Sequence, residues 1–201
     1  MAALAGVVLP AIAKVKQVSL KTACAAQQQQ IGLALQQYRI NHVGRLPCRP
    51  AGLDQTNPHV FKYRDLPDSI ASAMESAAGS RSIYYCPGNY QERSAQQWWP
   101  YPSGTVAVTY QFPFLLRSSL WQTRVYDYRR VAPDAVLAAD YLGSDTRPEA
   151  PLAWNHTLDK TGAPRGMNVL LGDGHVEWRT AAAGWVLWGR SGGPINWYLA
   201  R

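Results

Sequence analysis

The run from Ala2 to Asn41 constrains this chain more than any other feature, because its 40 residues read as helix with Pro10 as the one proline among them. Ala, Gln, Lys and Leu dominate it, and all are strong helix formers. Ile31, Leu35 and Tyr38 recur at helical spacing with Ala34 between them, as do Val8, Ile12 and Val15 earlier. Gly44 and then Pro47 supply the stop. At 1.5 Å per residue such a helix is about 60 Å long. That exceeds the width of a small domain, so part of it must protrude. The protruding end is the apolar one, Met1–Ala13, MAALAGVVLPAIA. An apolar helix end cannot stay bare in water; it enters a membrane or packs on copies of itself. Ala2, Ala3, Ala5, Gly6, Ala11 and Ala13 would let neighbouring helices approach closely. Pro10 removes one backbone donor, so a kink or a locally melted turn is expected there. The competing reading is a helix buried in an ordinary core.

This stretch is shorter than the roughly 20 residues that span a bilayer. It is not a standard signal peptide either, lacking a basic n-region and a clean small-residue cleavage site. The expected organisation is a helix over 1–47, with an apolar assembly half (1–13) and an amphipathic half (14–43). A globular β-rich head over 48–201 follows. The assembly helix is expected to act through Leu4, Val7, Val8, Pro10, Ile12 and Val15.

Charge follows the same division. Of the net +7, all lies in residues 1–64, where eight bases meet the single acid Asp54; residues 65–201 balance at twelve and twelve. A basic first third invites a nucleic-acid reading. Its bases are interleaved with Ala and Gln rather than clustered, which favours a helix meeting acidic partners or lipid. Lys14, Lys16 and Lys21 follow the apolar segment, and the positive-inside rule alone would keep them cytoplasmic.

The body reads as α+β, one long helix laid across an antiparallel sheet. Ala71–Gly79 is expected as a short helix ended by Gly79. Strands are expected at SIYYCP (82–87), at Thr105–Phe112 and at Ala135–Leu142. GMNVLLGDGHVEWR is the clearest hairpin, two apolar runs around Asp173-Gly174. Eight Trp and eleven Tyr point to aromatic packing or a sticky surface. Trp98, Trp99 and Tyr101 sit in a Pro-rich loop suited to stacking on sugars, to packing on a neighbouring subunit or to covering their own core. The aromatic C-terminal stretch Trp185–Arg201 is expected to pack on the sheet or on an adjacent subunit.

LAGVVLPAIAKVKQ resembles the second half of the hydrophobic segment of type IV pilins and type II secretion pseudopilins. KTACAAQQQQIGLALQQYRINHVGRLP resembles one branch more narrowly, the prepilin-type proteins with a His-x9-Asp-Gly signature. The matching residues are Cys24, Ile31–Leu35 with Tyr38, and Gly44–Pro47. YYCP (Tyr84–Pro87) looks like that branch's second cysteine segment, and Asn168–Trp178 like its terminal hairpin. The resemblance touches about a third of the chain, and its specificity lies in the order of the segments. Two departures stand out. The family carries about a dozen more apolar residues with a glutamate near their start, enough to bring the apolar run to bilayer length, preceded by a leader. An N-terminally truncated chain is therefore expected. Sixteen residues, not nine, separate His156 from Asp173.

The resemblance implies a structural subunit of a type IV pilus-like or pseudopilus filament, assembled by bundling of N-terminal helices. Its partners would be copies of itself, the inner-membrane assembly machinery and a prepilin peptidase. Its location would be the inner membrane before assembly, then a periplasmic or extracellular filament. The alternative is a surface-anchored pilin-like module binding glycan, through Trp98, Trp99 and Trp121, or DNA. The resemblance pairs the regions of Cys24 and Cys86; the loop placement of Cys48 keeps a Cys48–Cys86 bridge open. Asp173-Gly174-His175 with His156 is the signature hairpin, read as a tight turn rather than a metal or catalytic site. Related pseudopilins use calcium in a loop near their sheet, which makes Asp140 and Asp145, flanking a Gly-Ser turn, calcium candidates, although no EF-hand pattern is present. No Gly-x-Ser-x-Gly elbow, phosphate loop or dinucleotide fingerprint occurs. No enzymatic activity and no other cofactor are expected.

Overall fold

The structure, a computed structural model, describes residues 2–47, 60–61, 75–88, 106–112, 131–140, 142–145, 153–154, 166–180, 185–189 and 195–200. Side chains are described at 11–47, 75–88, 108–112, 131–140 and 166–180.

Helix α1 runs from Ala2 to Asn41, 40 residues without interruption. It passes through Pro10, so the locally melted turn expected there does not occur. A proline removes one hydrogen bond, and the strong formers on both sides carry the helix across that loss. The helix ends where Gly44 takes φ +79° and donates its N–H to the Arg39 carbonyl at 2.7 Å. That closure satisfies a carbonyl the helix would otherwise leave bare.

The described strands are β1 (Val60–Phe61), β2 (Val106–Ala107), β3 (Tyr110–Gln111), β4 (Val136–Asp140), β5 (Leu142–Asp145), β6 (Ala153–Trp154), β7 (Gly166–Leu171), β8 (Val176–Thr180), β9 (Trp185–Gly189) and β10 (Ile195–Ala200). α1 lies on a four-stranded antiparallel sheet of order β3-β4-β7-β8. The fold is therefore α+β, a long helix packed against an antiparallel sheet. β7 is buried along its whole length, as a central strand with apolar residues on both faces should be. Ile31, Leu35, Tyr84, Tyr110, Phe112 and Leu170 form much of the core between helix and sheet. Gly32 lets the helix come close: a Cβ there would stand 3.1 Å from Leu170 Cδ1.

Three local expectations change. Arg81–Tyr84 is a 3-10 helix, not a strand. The Ser80 hydroxyl accepts from Ser82 N–H at its start, a local bond that outweighs the strand preference of Ile-Tyr-Tyr. Thr105–Phe112 does not form one strand but divides into β2 and β3, which belong to different sheets. The division falls at Thr109, whose N–H and hydroxyl both turn to the Tyr84 carbonyl, at 3.0 and 3.3 Å. Gly143 and Ser144 are not a turn: they lie within β5, paired with Trp197 and Asn196. β5 belongs to a second antiparallel sheet of order β6-β5-β10-β9, which also takes up the aromatic C-terminal stretch. β1 and β2 pair as a third, two-stranded sheet. In 75–78 the expected short helix is present, and Gly79 follows it at φ +66°.

Candidate functional site

The helix has two unlike stretches. Over 11–19 every side chain is exposed except the half-buried Gln17. Ile12 is 59% exposed, Val15 68% and Val18 57%, values far above those of ordinary core aliphatics. Burial begins at Cys24 and continues through Gln28, Ile31, Gly32, Ala34 and Leu35. Cys24, Gln28, Ile31 and Leu35 are spaced by four, three and four residues, which sets them on one helix face. That face meets the sheet. Leu33 and Ile40, on the opposite side, are 65% and 75% exposed.

A collar of polar contacts grips α1 where it reaches the sheet. Cys24 is disulfide-bonded to Cys86, just beyond the 3-10 helix, with their Cα atoms 5.2 Å apart. Gln28 Nε2 donates to Asp140 Oδ1 and to the Asn168 carbonyl, both at 3.1 Å. Asn168 N–H donates to the other Asp140 oxygen at 2.7 Å, and its side-chain amide donates to the Lys21 carbonyl at 3.3 Å. Tyr110 donates its hydroxyl to Gln27 Oε1 at 2.8 Å. Burial, and then the nearby Asp140 carboxylate, push the Tyr110 phenol well above its ordinary value of 10.0, so it stays a neutral donor. At the rim Lys21 Nζ sits 4.0 Å from the centre of the Trp178 ring. Gln28, Asp140 and Asn168 are all buried. A buried carboxylate is tolerated here because donors from β7 and from the helix surround it. Gln28 Oε1 is buried with no hydrogen-bond partner.

The Asp173-Gly174-His175 turn joins β7 to β8 on the surface. Gly174 takes φ +93°, and a Cβ there would stand 3.0 Å from Gln36 Nε2 of the helix. Asp173 Oδ1 accepts the His175 N–H at 3.0 Å, and the His175 ring reaches the same carboxylate at 2.7 Å. The backbone bond first, then the ring contact, hold the Asp173 carboxyl below its ordinary value of 3.8.

Among the sequence candidates, the structure brings together Cys24, Cys86 and Asp140. Asp145 ends β5, opposite Ile195. Ile12 and Val15 lie on the exposed stretch; Leu4, Val7, Val8 and Pro10 are in the helix, but their side chains lie outside the described residues, as do Cys48, His156, Trp98, Trp99, Tyr101 and Trp121. Sequence reasoning missed Gln28 and Asn168. The available signal for Gln28 was a polar residue on the face of Cys24, Ile31 and Leu35, hidden inside a run of four glutamines.

No described helix is long and apolar enough to cross a membrane. Comparisons with protein-family models, curated proteins and solved structures found no match. The arrangement itself, a long N-terminal helix packed against a four-stranded antiparallel sheet, is a pilin-like layout.

Proposed function

We propose that this chain is a structural subunit of a type IV pilus-like or pseudopilus filament, assembled by bundling of N-terminal helices. One observation carries the reading: the helix leaves the body with Ile12, Val15 and Val18 more than half exposed. Burying such aliphatics between copies returns about 25 cal/mol per Å2 of apolar surface. The long lever of the helix, with small residues toward its start, suits close packing against other helices. The disulfide and the polar collar suit a body that must hold its helix under axial load. Processing by a prepilin peptidase and export through the inner membrane belong to the same proposal.

The test is mass spectrometry of the N-terminal peptide of the protein from the cells that make it. The expected result is a run of apolar residues preceding Met1 that begins with an N-methylated residue. A native chain beginning at Met1 would remove prepilin processing and with it this reading.

A further inference from the structure

The collar also holds an arrangement suited to a metal. Cys24 Sγ, Cys86 Sγ and a carboxylate oxygen of Asp140 lie within 4.8 Å of one another, and all three residues are buried. Tetrahedral zinc, with bonds of about 2.0–2.3 Å to oxygen and sulfur, needs ligand atoms grouped on this scale. Gln28, one helical turn from Cys24, donates Nε2 to Asp140 Oδ1 at 3.1 Å, and its Oε1 is buried without a partner. An orphaned buried carbonyl oxygen is a feature that native structures rarely leave unexplained.

The geometry points to a second state of this site: with the disulfide reduced, Cys24, Cys86, Asp140 and Gln28 Oε1 bind one zinc ion between helix and sheet. The inference stands apart from filament assembly. Every newly made chain begins with free thiols, before an oxidising compartment allows the bridge. In the reverse direction, a dithiol reduces the bridge by exchange: it gives up two electrons and two protons and becomes a disulfide, leaving two thiols on the protein. Zinc then displaces both thiol protons to solvent as two Zn–S bonds form. The carboxylate of Asp140 keeps its contacts to Asn168 N–H and Gln28 Nε2, because each oxygen has a second lone pair to offer. The ion would hold the helix on the sheet until a disulfide-bearing oxidant takes two electrons from the two thiolates by exchange, becoming a dithiol with two protons from solvent, while zinc leaves as the hydrated ion and the Cys24–Cys86 bridge forms.

The test uses the full chain carrying Cys48→Ser, so that the third cysteine cannot chelate. Zinc is titrated anaerobically against a chromophoric chelator, with the protein either oxidised or reduced by a phosphine. The expected result is one zinc per reduced chain and none on the oxidised chain. Cobalt in its place should give a thiolate charge-transfer band with the visible spectrum of a tetrahedral site. Asp140→Asn should weaken zinc binding by about tenfold or more, on the scale of perturbed metal sites. If circular dichroism shows that Asp140→Asn does not fold, Gln28→Ala decides in its place, with the same loss expected. A reduced chain that binds no zinc would overturn the site. So would an affinity unchanged by the deciding variant, since the thiols would then be binding alone.

Discussion

Residues 11–19 and 24–35 belong to one helix and are made of similar helix formers, yet they live in different surroundings. The first stretch leaves Ile12, Val15 and Val18 open to solvent; the second buries Ile31 and Leu35 almost completely. Propensity makes both stretches helical. What separates them is the collar: Cys24, Gln27 and Gln28 tie the second stretch to the 3-10 helix and to β3, β4 and β7. The first stretch has no such anchors among its described contacts to the body. A helix therefore does not need an apolar face everywhere to belong to a domain. It needs one anchored segment, and the remainder is free for another purpose.

The contrast is sharpest in stability. Leu35→Ala should destabilise the folded monomer by about 2–5 kcal/mol, the usual loss for a buried leucine. Val15→Ala should stay within about 0.5 kcal/mol, as exposed sites do. Urea unfolding of the two variants measures both, and equal losses would break the contrast. Next in size is the bridge. Cys24→Ala combined with Cys86→Ala, in metal-free buffer, should lower stability by about 2–4 kcal/mol. Native-state hydrogen exchange should show the loss first in 24–35, leaving 11–19 as it was. A smaller effect is expected at the β7–β8 turn beside the helix. Gly174→Ala forces a side chain into positive φ and toward Gln36; it should cost about 1–2 kcal/mol by thermal unfolding.

The smallest effect concerns acid. The Asp173 carboxyl is depressed by its bonds to His175, so the turn is fully supported above the unfolded value of 3.8 and loses that support as pH falls through the lower folded value. The His175 amide resonance should titrate with a midpoint below 3.8. A midpoint at or above it would mean that the turn gives the carboxylate no net favour.

Much of this was legible in residues. The helix limits followed from helix formers closed by Gly44, and the β7–β8 hairpin from two apolar runs around Asp173-Gly174. What escaped was tertiary. Ile83 and Tyr84 have strand chemistry, but a serine cap and Thr109 claim the local hydrogen bonds and make a 3-10 turn. Asp140 looked like half of a pair with Asp145, yet the chain changes sheets between β4 and β5, and Asp140 finds its partners on the helix and on β7 instead. Single-sequence periodicity carries no information about which distant amide will meet a carboxylate. Gln28 needed the sheet in place before its role could be seen.

Sedimentation velocity on the chain and on an Ile12→Glu/Val15→Glu variant tests assembly through the exposed helix most directly. The parent should self-associate in a concentration-dependent way, and the variant should run as a monomer with unchanged circular dichroism and unchanged urea stability. A parent that stays monomeric, or a variant that associates as well as the parent, would contradict it.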